Sequence, residues 1–203
     1  MLRNLIMQGM PIIYKKRVRL RNFDYKGCFR YFVTICTHNK EWVFKNDLLL
    51  AEWLTDILRE KSSSFGFKVW AYCFMPDHLH LLIEGKDNNS NMRRFISSYK
   101  QSTSFSYKKK TGLPLWQINY YEHVLRREED TMNVARYIFN NPVRKELVDD
   151  FRKYKSLGSF EFDTFDGAKP RFLNRGKKRR SVLTLSIPRA SDRGVEWVDL
   201  FTL

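Results

Sequence analysis

The chain is poor in cysteine and histidine and short of negative charge. Its three cysteines, Cys28, Cys36 and Cys73, are odd in number and lack paired spacing. That excludes a disulfide framework and fits a reducing compartment. Cys28 and Cys36 also stand too far apart for a zinc knuckle. No uninterrupted apolar stretch could span a bilayer. The N-terminal apolar residues are broken by Gln8, Gly9 and Pro11, so no secretory leader is expected and a cytoplasmic location is. Acidic residues number 22 against 37 lysines and arginines, which leaves a formal net charge of +15. Such an excess points to a polyanionic partner, with nucleic acid first. Acidic lipid is the lesser candidate, because no basic amphipathic anchor is present and no membrane partner is expected.

What is present is the composition of a folded domain. Hydrophobic residues make up 43% of the 203, and aromatics 15%, which excludes a disordered chain and suffices for one core. Residues 29–37 are aromatic and β-branched and predict a first strand. Leu50, Trp53, Leu54, Ile57 and Leu58 fall at helical spacing over 47–61, with Asp47 as N-cap. Residues 67–74 predict a second strand. Met75-Pro76-Asp77 then makes a tight turn, and the apolar run after it predicts a third strand paired as a hairpin. Met92, Phe95, Ile96 and Tyr99 form the stripe of a helix over about 90–109, ended by Gly112 and Pro114. Residues 117–126 predict a fourth strand. Glu128, Glu129 and Asp130 suit the start of a third helix that runs to about Asn141 and stops at Pro142.

This order is that of an α+β, ferredoxin-like (RRM-like) fold: one antiparallel sheet with helices mainly on one face. Three regions are expected. Residues 1–22 are a basic arm with Lys15, Lys16, Arg17, Arg19 and Arg21. Residues 23–162 are the folded domain, and 163–203 a basic tail. Within that tail, 169–180 holds Lys169, Arg171, Arg175, Lys177, Lys178, Arg179 and Arg180 and no acidic residue. It suits a phosphate backbone and equally a solvated tail.

Two of the four histidines sit in His78-Leu79-His80. On a strand, alternation sends Leu79 to one face and both imidazoles to the other. Two imidazoles held side by side can chelate a divalent metal, or simply face solvent. In the third helix, Tyr137 and Asn141 are four residues apart and share a face. An asparagine oxygen can complete a metal sphere, and a tyrosine can act as nucleophile, although tyrosine at such a position also serves as a core aromatic. His123 reads as a hydrogen-bonded structural histidine near the site, and His38 as a loop residue.

Several segments together resemble the one-tyrosine HUH transposases, and most closely the REP-associated tyrosine transposases. Tyr31-Phe32-Val33-Thr34-Ile35-Cys36-Thr37 looks like that family's first strand, and Phe74-Met75-Pro76-Asp77-His78-Leu79-His80-Leu81-Leu82 like its HUH strand. Tyr121-Glu122-His123-Val124-Leu125-Arg126 resembles the strand before the tyrosine helix, and Tyr137-Ile138-Phe139-Asn140-Asn141-Pro142-Val143-Arg144 that helix and its exit. The likeness covers roughly 17–160. Family members often carry Asn at the position of Asp77, a change expected to alter only the turn. Insertion-sequence relatives tend to carry Gln at the position of Asn141.

The resemblance implies a metal-dependent single-stranded DNA endonuclease and strand transferase. His78, His80 and Asn141 are its expected ligands for Mg²⁺ or Mn²⁺, and Tyr137 its nucleophile, passing through a 5′-phosphotyrosine. The expected partner is single-stranded DNA, as a hairpin of REP type, with monomer and homodimer both open. Lys100, Arg126 and Arg144, with the basic arm, are candidates to hold the backbone. Two alternatives stand beside this reading. A non-catalytic nucleic-acid-binding domain of RRM-like fold predicts exposed stacking aromatics on the central strands. A replication or transfer HUH nickase usually carries a further domain, for which the chain leaves no room.

Overall fold

Strand β1 (Arg30–Cys36) alternates strictly, burying Tyr31, Val33 and Ile35 on one side and turning Arg30, Phe32, Thr34 and Cys36 to the other. A computed structural model describes residues 23–45, 47–163 and 171–172, and in it this strand is the second of five in one sheet. The sheet also holds β2 (Phe67–Met75), β3 (His78–Gly85), β4 (Tyr121–Val124) and β5 (Leu157–Gly158), in the spatial order β4-β1-β3-β2-β5, with every neighbouring pair antiparallel. The first four strands have the expected ferredoxin-like arrangement. β5 pairs with β2 through two residues only, too short a run to show periodicity in sequence.

Two long helices cover one face. In α1 (Leu48–Ser64) the Asp47 carboxylate accepts the N–H of Leu50, capping the helix as expected. In α2 (Met92–Thr111) Asn91 does the same for Arg94, and Gly112 closes the helix with φ +77°. Leu50, Leu54 and Leu58 from α1 and Phe95, Ile96 and Tyr99 from α2 pack on Val33, Ile35, Val69, Leu79, Leu81 and Ile83. Each such side chain contributes about 1.5–3 kcal/mol of burial. No helix among the described residues is long and apolar enough to cross a membrane.

The other face is covered mainly by α3 (Thr131–Phe139), with Phe151, Tyr154 and Phe162 from the following segment beside it. Ala135, Ile138 and Phe139 close a second, smaller core with Phe32, Ala71, Cys73, Leu82 and Leu157. α3 starts later than its acidic residues suggest, because Asp130 is the N-cap, accepting the N–H of Asn133, and Glu129 is drawn elsewhere. Pro142 does not end the helix. It sits in the first turn of α4 (Asn141–Arg144), which follows α3 after Asn140, and proline is tolerated there because first-turn N–H groups lack helical partners. The predicted strand over 117–126 shortens to four residues, since Lys100 Nζ pins 117–119 into a loop by donating to the carbonyls of Gln117, Ile118 and Asn119. The basic arm, with Lys15, Lys16, Arg17, Arg19 and Arg21, lies outside the described residues, and so does nearly all of the basic tail. Across its start the described residues form one short ribbon, β6 (Phe162–Asp163) paired with β7 (Arg171–Phe172).

Candidate active site

The register of the sheet assembles the site. Thr34, His80, Cys73 and Leu157 lie in one row across β1, β3, β2 and β5, and Tyr121 of β4 continues it beyond Thr34. His78 lies one row over, between Cys36 and Met75. Both histidines therefore face the α3 side of the sheet, while Leu79 between them is buried under α1 and α2.

The imidazoles are held by their Nδ1 atoms. His78 Nδ1 is 2.6 Å from Asp77 Oδ1, and His80 Nδ1 is 2.9 Å from the hydroxyl of Thr34. Asp77 is buried, and its carbonyl accepts both the N–H and the hydroxyl of Thr37, each at 2.9 Å. The reading that Asp77 matters only to the turn is therefore incomplete: its carboxylate orients a candidate ligand. Nothing in the sequence but adjacency could have signalled this. Because an ionised carboxylate only accepts, the hydrogen of His78 sits on Nδ1 and its Nε2 presents a lone pair.

The two Nε2 atoms converge to 2.9 Å. Two nitrogens bound at right angles, each ~2.1 Å from one ion, would lie roughly 3.0 Å apart, so the pair fits a shared metal. Burial, reinforced by the neighbouring His78 ring, holds His80 well below the ordinary histidine value of 6.5, in the neutral form a ligand needs. Among the described residues no cluster of three or more His, Cys, Asp or Glu is suited to a metal. A further protein ligand to this pair would thus be of another type, such as an amide oxygen. Asn141 is buried at the head of α4, and its Nδ2 donates to the carbonyls of Tyr137 and Ile138. This commits the nitrogen end of the amide, so that only the oxygen could serve as a ligand.

Phe32 joins the histidines to α3. Its ring stacks on His80 with centroids 5.3 Å apart and meets the Tyr137 ring edge-on at 6.3 Å. Tyr137 is not a core aromatic: it is 41% exposed, with the Arg144 guanidinium 4.8 Å from its ring centroid. Arg126 is likewise exposed. Lys100 is half-buried and has the structural work described above. His123 faces the same side as Phe32, its cross-strand partner, and bonds Glu129, as a structural histidine should.

Comparison with known proteins agrees with this architecture. The family model described as "Transposase IS200 like" matches residues 27–141. A protein of Haemophilus influenzae named only as uncharacterized is 28% identical over 165 residues, covering 65% of this chain and 90% of its own. The REP-associated tyrosine transposase of Escherichia coli K12 is 31% identical over 102 residues, covering 49% of this chain and 54% of its own length. A solved structure described as the REP-associated tyrosine transposase bound to a REP hairpin is similar in fold, with a TM-score of 0.54 and 19% identity over 66% of this chain and 77% of that one.

Proposed function

Because the chain belongs to the IS200-like transposase family, we propose that it cleaves and rejoins single-stranded DNA through Tyr137, with hairpin DNA of REP type as its substrate. The observation that carries the reading is the convergence of the His78 and His80 Nε2 atoms beside an exposed tyrosine on a separate helix. The REP hairpin named with the solved relative, and the name of the Escherichia coli relative, support the choice of DNA.

In this reaction His78, His80 and the Asn141 oxygen would hold Mg²⁺ or Mn²⁺, which supplies charge to polarise the scissile phosphate. The Tyr137 oxygen attacks phosphorus and gives its proton to solvent. The bond from phosphorus to the 3′-oxygen breaks, and that oxygen leaves as a hydroxyl after taking a proton. A 5′-phosphotyrosine remains, with the phosphodiester energy conserved. Attack by a second 3′-hydroxyl reverses the step, frees Tyr137 and joins new ends. Arg144, over the Tyr137 ring, would meet the phosphate charge, and the exposed Arg126 would hold the backbone. The cytoplasm, where the three free cysteines stay reduced, is the proposed setting.

An RNA-recognition type of sheet is less well supported. Phe32, in β1 beside the central strand, is buried beneath His80 and Tyr137 and offers no open face for a base. The test is incubation of the full chain with labelled single-stranded hairpin DNA and Mn²⁺. A covalent protein–DNA adduct should form and be lost in Tyr137→Phe, while DNA affinity stays near wild type. An adduct that persists in the variant assigns the nucleophile elsewhere.

A further inference from the structure

His123 lies on the catalytic face, yet the reaction above makes no use of it. It stands on β4 opposite Phe32, the ring that touches both His80 and Tyr137. Its Nε2 is 2.9 and 3.0 Å from the two carboxylate oxygens of Glu129, so that nitrogen carries the hydrogen. Glu129 also accepts the backbone N–H of Arg126. Burial pushes the Glu129 carboxyl up, but the Arg126 N–H and His123 outweigh it and hold it below its ordinary value of 4.5.

Arg30 grips the same segment from β1. Its Nη1 donates to the Glu129 carbonyl and the Thr131 hydroxyl, both at 2.7 Å, and its Nη2 to the Arg126 carbonyl at 2.8 Å. The side chains of two adjacent strands thus close over residues 126–131, the link from β4 into α3. Thr131 is the first residue of α3, and Tyr137 follows about 9 Å further along the axis. α3 is nine residues long, rests on the sheet through Ala135, Ile138 and Phe139, and is joined to β4 by this link at its first turn. A loosened link would therefore displace the tyrosine without disturbing the histidines.

We propose that His123, Glu129 and Arg30 are positioning residues, which fix where the Tyr137 hydroxyl stands relative to His78 and His80. The inference rests on the strand-cleaving reaction proposed above. The sequence could not show it, since residues 30, 123 and 129 come together only through the β1–β4 pairing.

The experiment compares wild type with His123→Ala, His123→Gln and Arg30→Lys, using full-length protein, hairpin DNA and Mn²⁺. Single-turnover adduct formation at saturating DNA is measured across pH, together with DNA affinity and Mn²⁺ affinity. A misplacement of about an ångström costs up to roughly a hundredfold. His123→Ala should slow adduct formation about 10- to 100-fold with both affinities unchanged. His123→Gln, whose amide can still donate to Glu129, should stay within about threefold, with the wild-type pH profile. Arg30→Lys, which cannot span three acceptors, should fall between them, and it carries the test if His123→Ala does not fold. An active wild type with all variants at its rate overturns the inference alone. So does a His123→Gln protein as slow as His123→Ala with one limb of its pH profile gone, since His123 would then be transferring a proton. A change confined to DNA affinity overturns it as well. A wild type that forms no adduct overturns the reaction and the inference together.

Discussion

Asp77 and His78 are adjacent in sequence and bonded through their side chains, with Asp77 Oδ1 2.6 Å from His78 Nδ1. Two anchors on Thr37 fix Asp77 itself, so the orientation of His78 is set by the residue that follows β1 as much as by its own strand.

Removing that carboxylate should weaken metal binding. Asp77→Ala is expected to lower Mn²⁺ affinity about 10- to 100-fold, the usual cost of losing a partner behind a histidine ligand. Asp77→Asn should lose less, since its amide oxygen can still accept from Nδ1. Calorimetric titration with Mn²⁺ measures both, and an unchanged affinity in Asp77→Ala would confine Asp77 to the turn.

The depressed His80 pKa predicts how the metal-free fold responds to acid. In the unfolded chain the imidazole takes up a proton as pH falls through 6.5, whereas in the fold burial delays that uptake to lower pH. The unfolded state then binds more protons, so stability drops as pH falls below 6.5 and is fully present above it. Denaturant unfolding in EDTA at pH 7.5 and 5.5 should show this drop, reduced in His80→Gln. Equal drops in both proteins would mean that His80 titrates normally.

Gly85 closes β3 where the chain passes close to its own backbone. A Cβ built there would collide with the Gly27 carbonyl oxygen and lie 2.9 Å from Ser90 Cβ. Gly85→Ala should therefore cost about 1–3 kcal/mol and lower Tm by several degrees. Gly112→Ala, with open space but φ +77°, should cost about 1–2 kcal/mol through its left-handed backbone alone. Thermal melts rank the two, and a neutral Gly85→Ala would mean that the 25–27 loop moves aside freely.

Salt should weaken DNA binding steeply, given the +15 charge. Each phosphate neutralised on a single strand adds roughly −0.7 to the log–log slope. Deleting residues 163–203 should flatten the slope and leave cleavage of saturating DNA intact. An unchanged slope would mean that the tail makes no phosphate contact. Loss of cleavage at saturation would make the tail part of the catalytic fold.

The strands and long helices were legible because each carries a full period of apolar residues and, for α1, a capping aspartate. The histidine pair was legible because its two-residue spacing alone decides which face it shares. Less visible were features made by distant pairing. β5 is two residues long, Pro142 reads as a helix stop yet begins a turn, and the acidic run 128–130 splits, with Asp130 capping α3 and Glu129 turning to His123. Lys100 shows the same limit. Its charge suggested a phosphate, but its position beside the 117–119 loop gives it three carbonyls.

The row from Tyr121 through Thr34, His80 and Cys73 to Leu157 is also a gradient of burial. Tyr121 is 41% exposed at one end, whereas Cys73 and Leu157, beneath α3, are at 0% and 3%. Among the described residues this face is therefore more open over β4 than beyond β3. With Tyr137 as the proposed nucleophile above this row, and His80 within it and His78 beside it as the proposed metal ligands, a DNA strand would reach them from the β4 side.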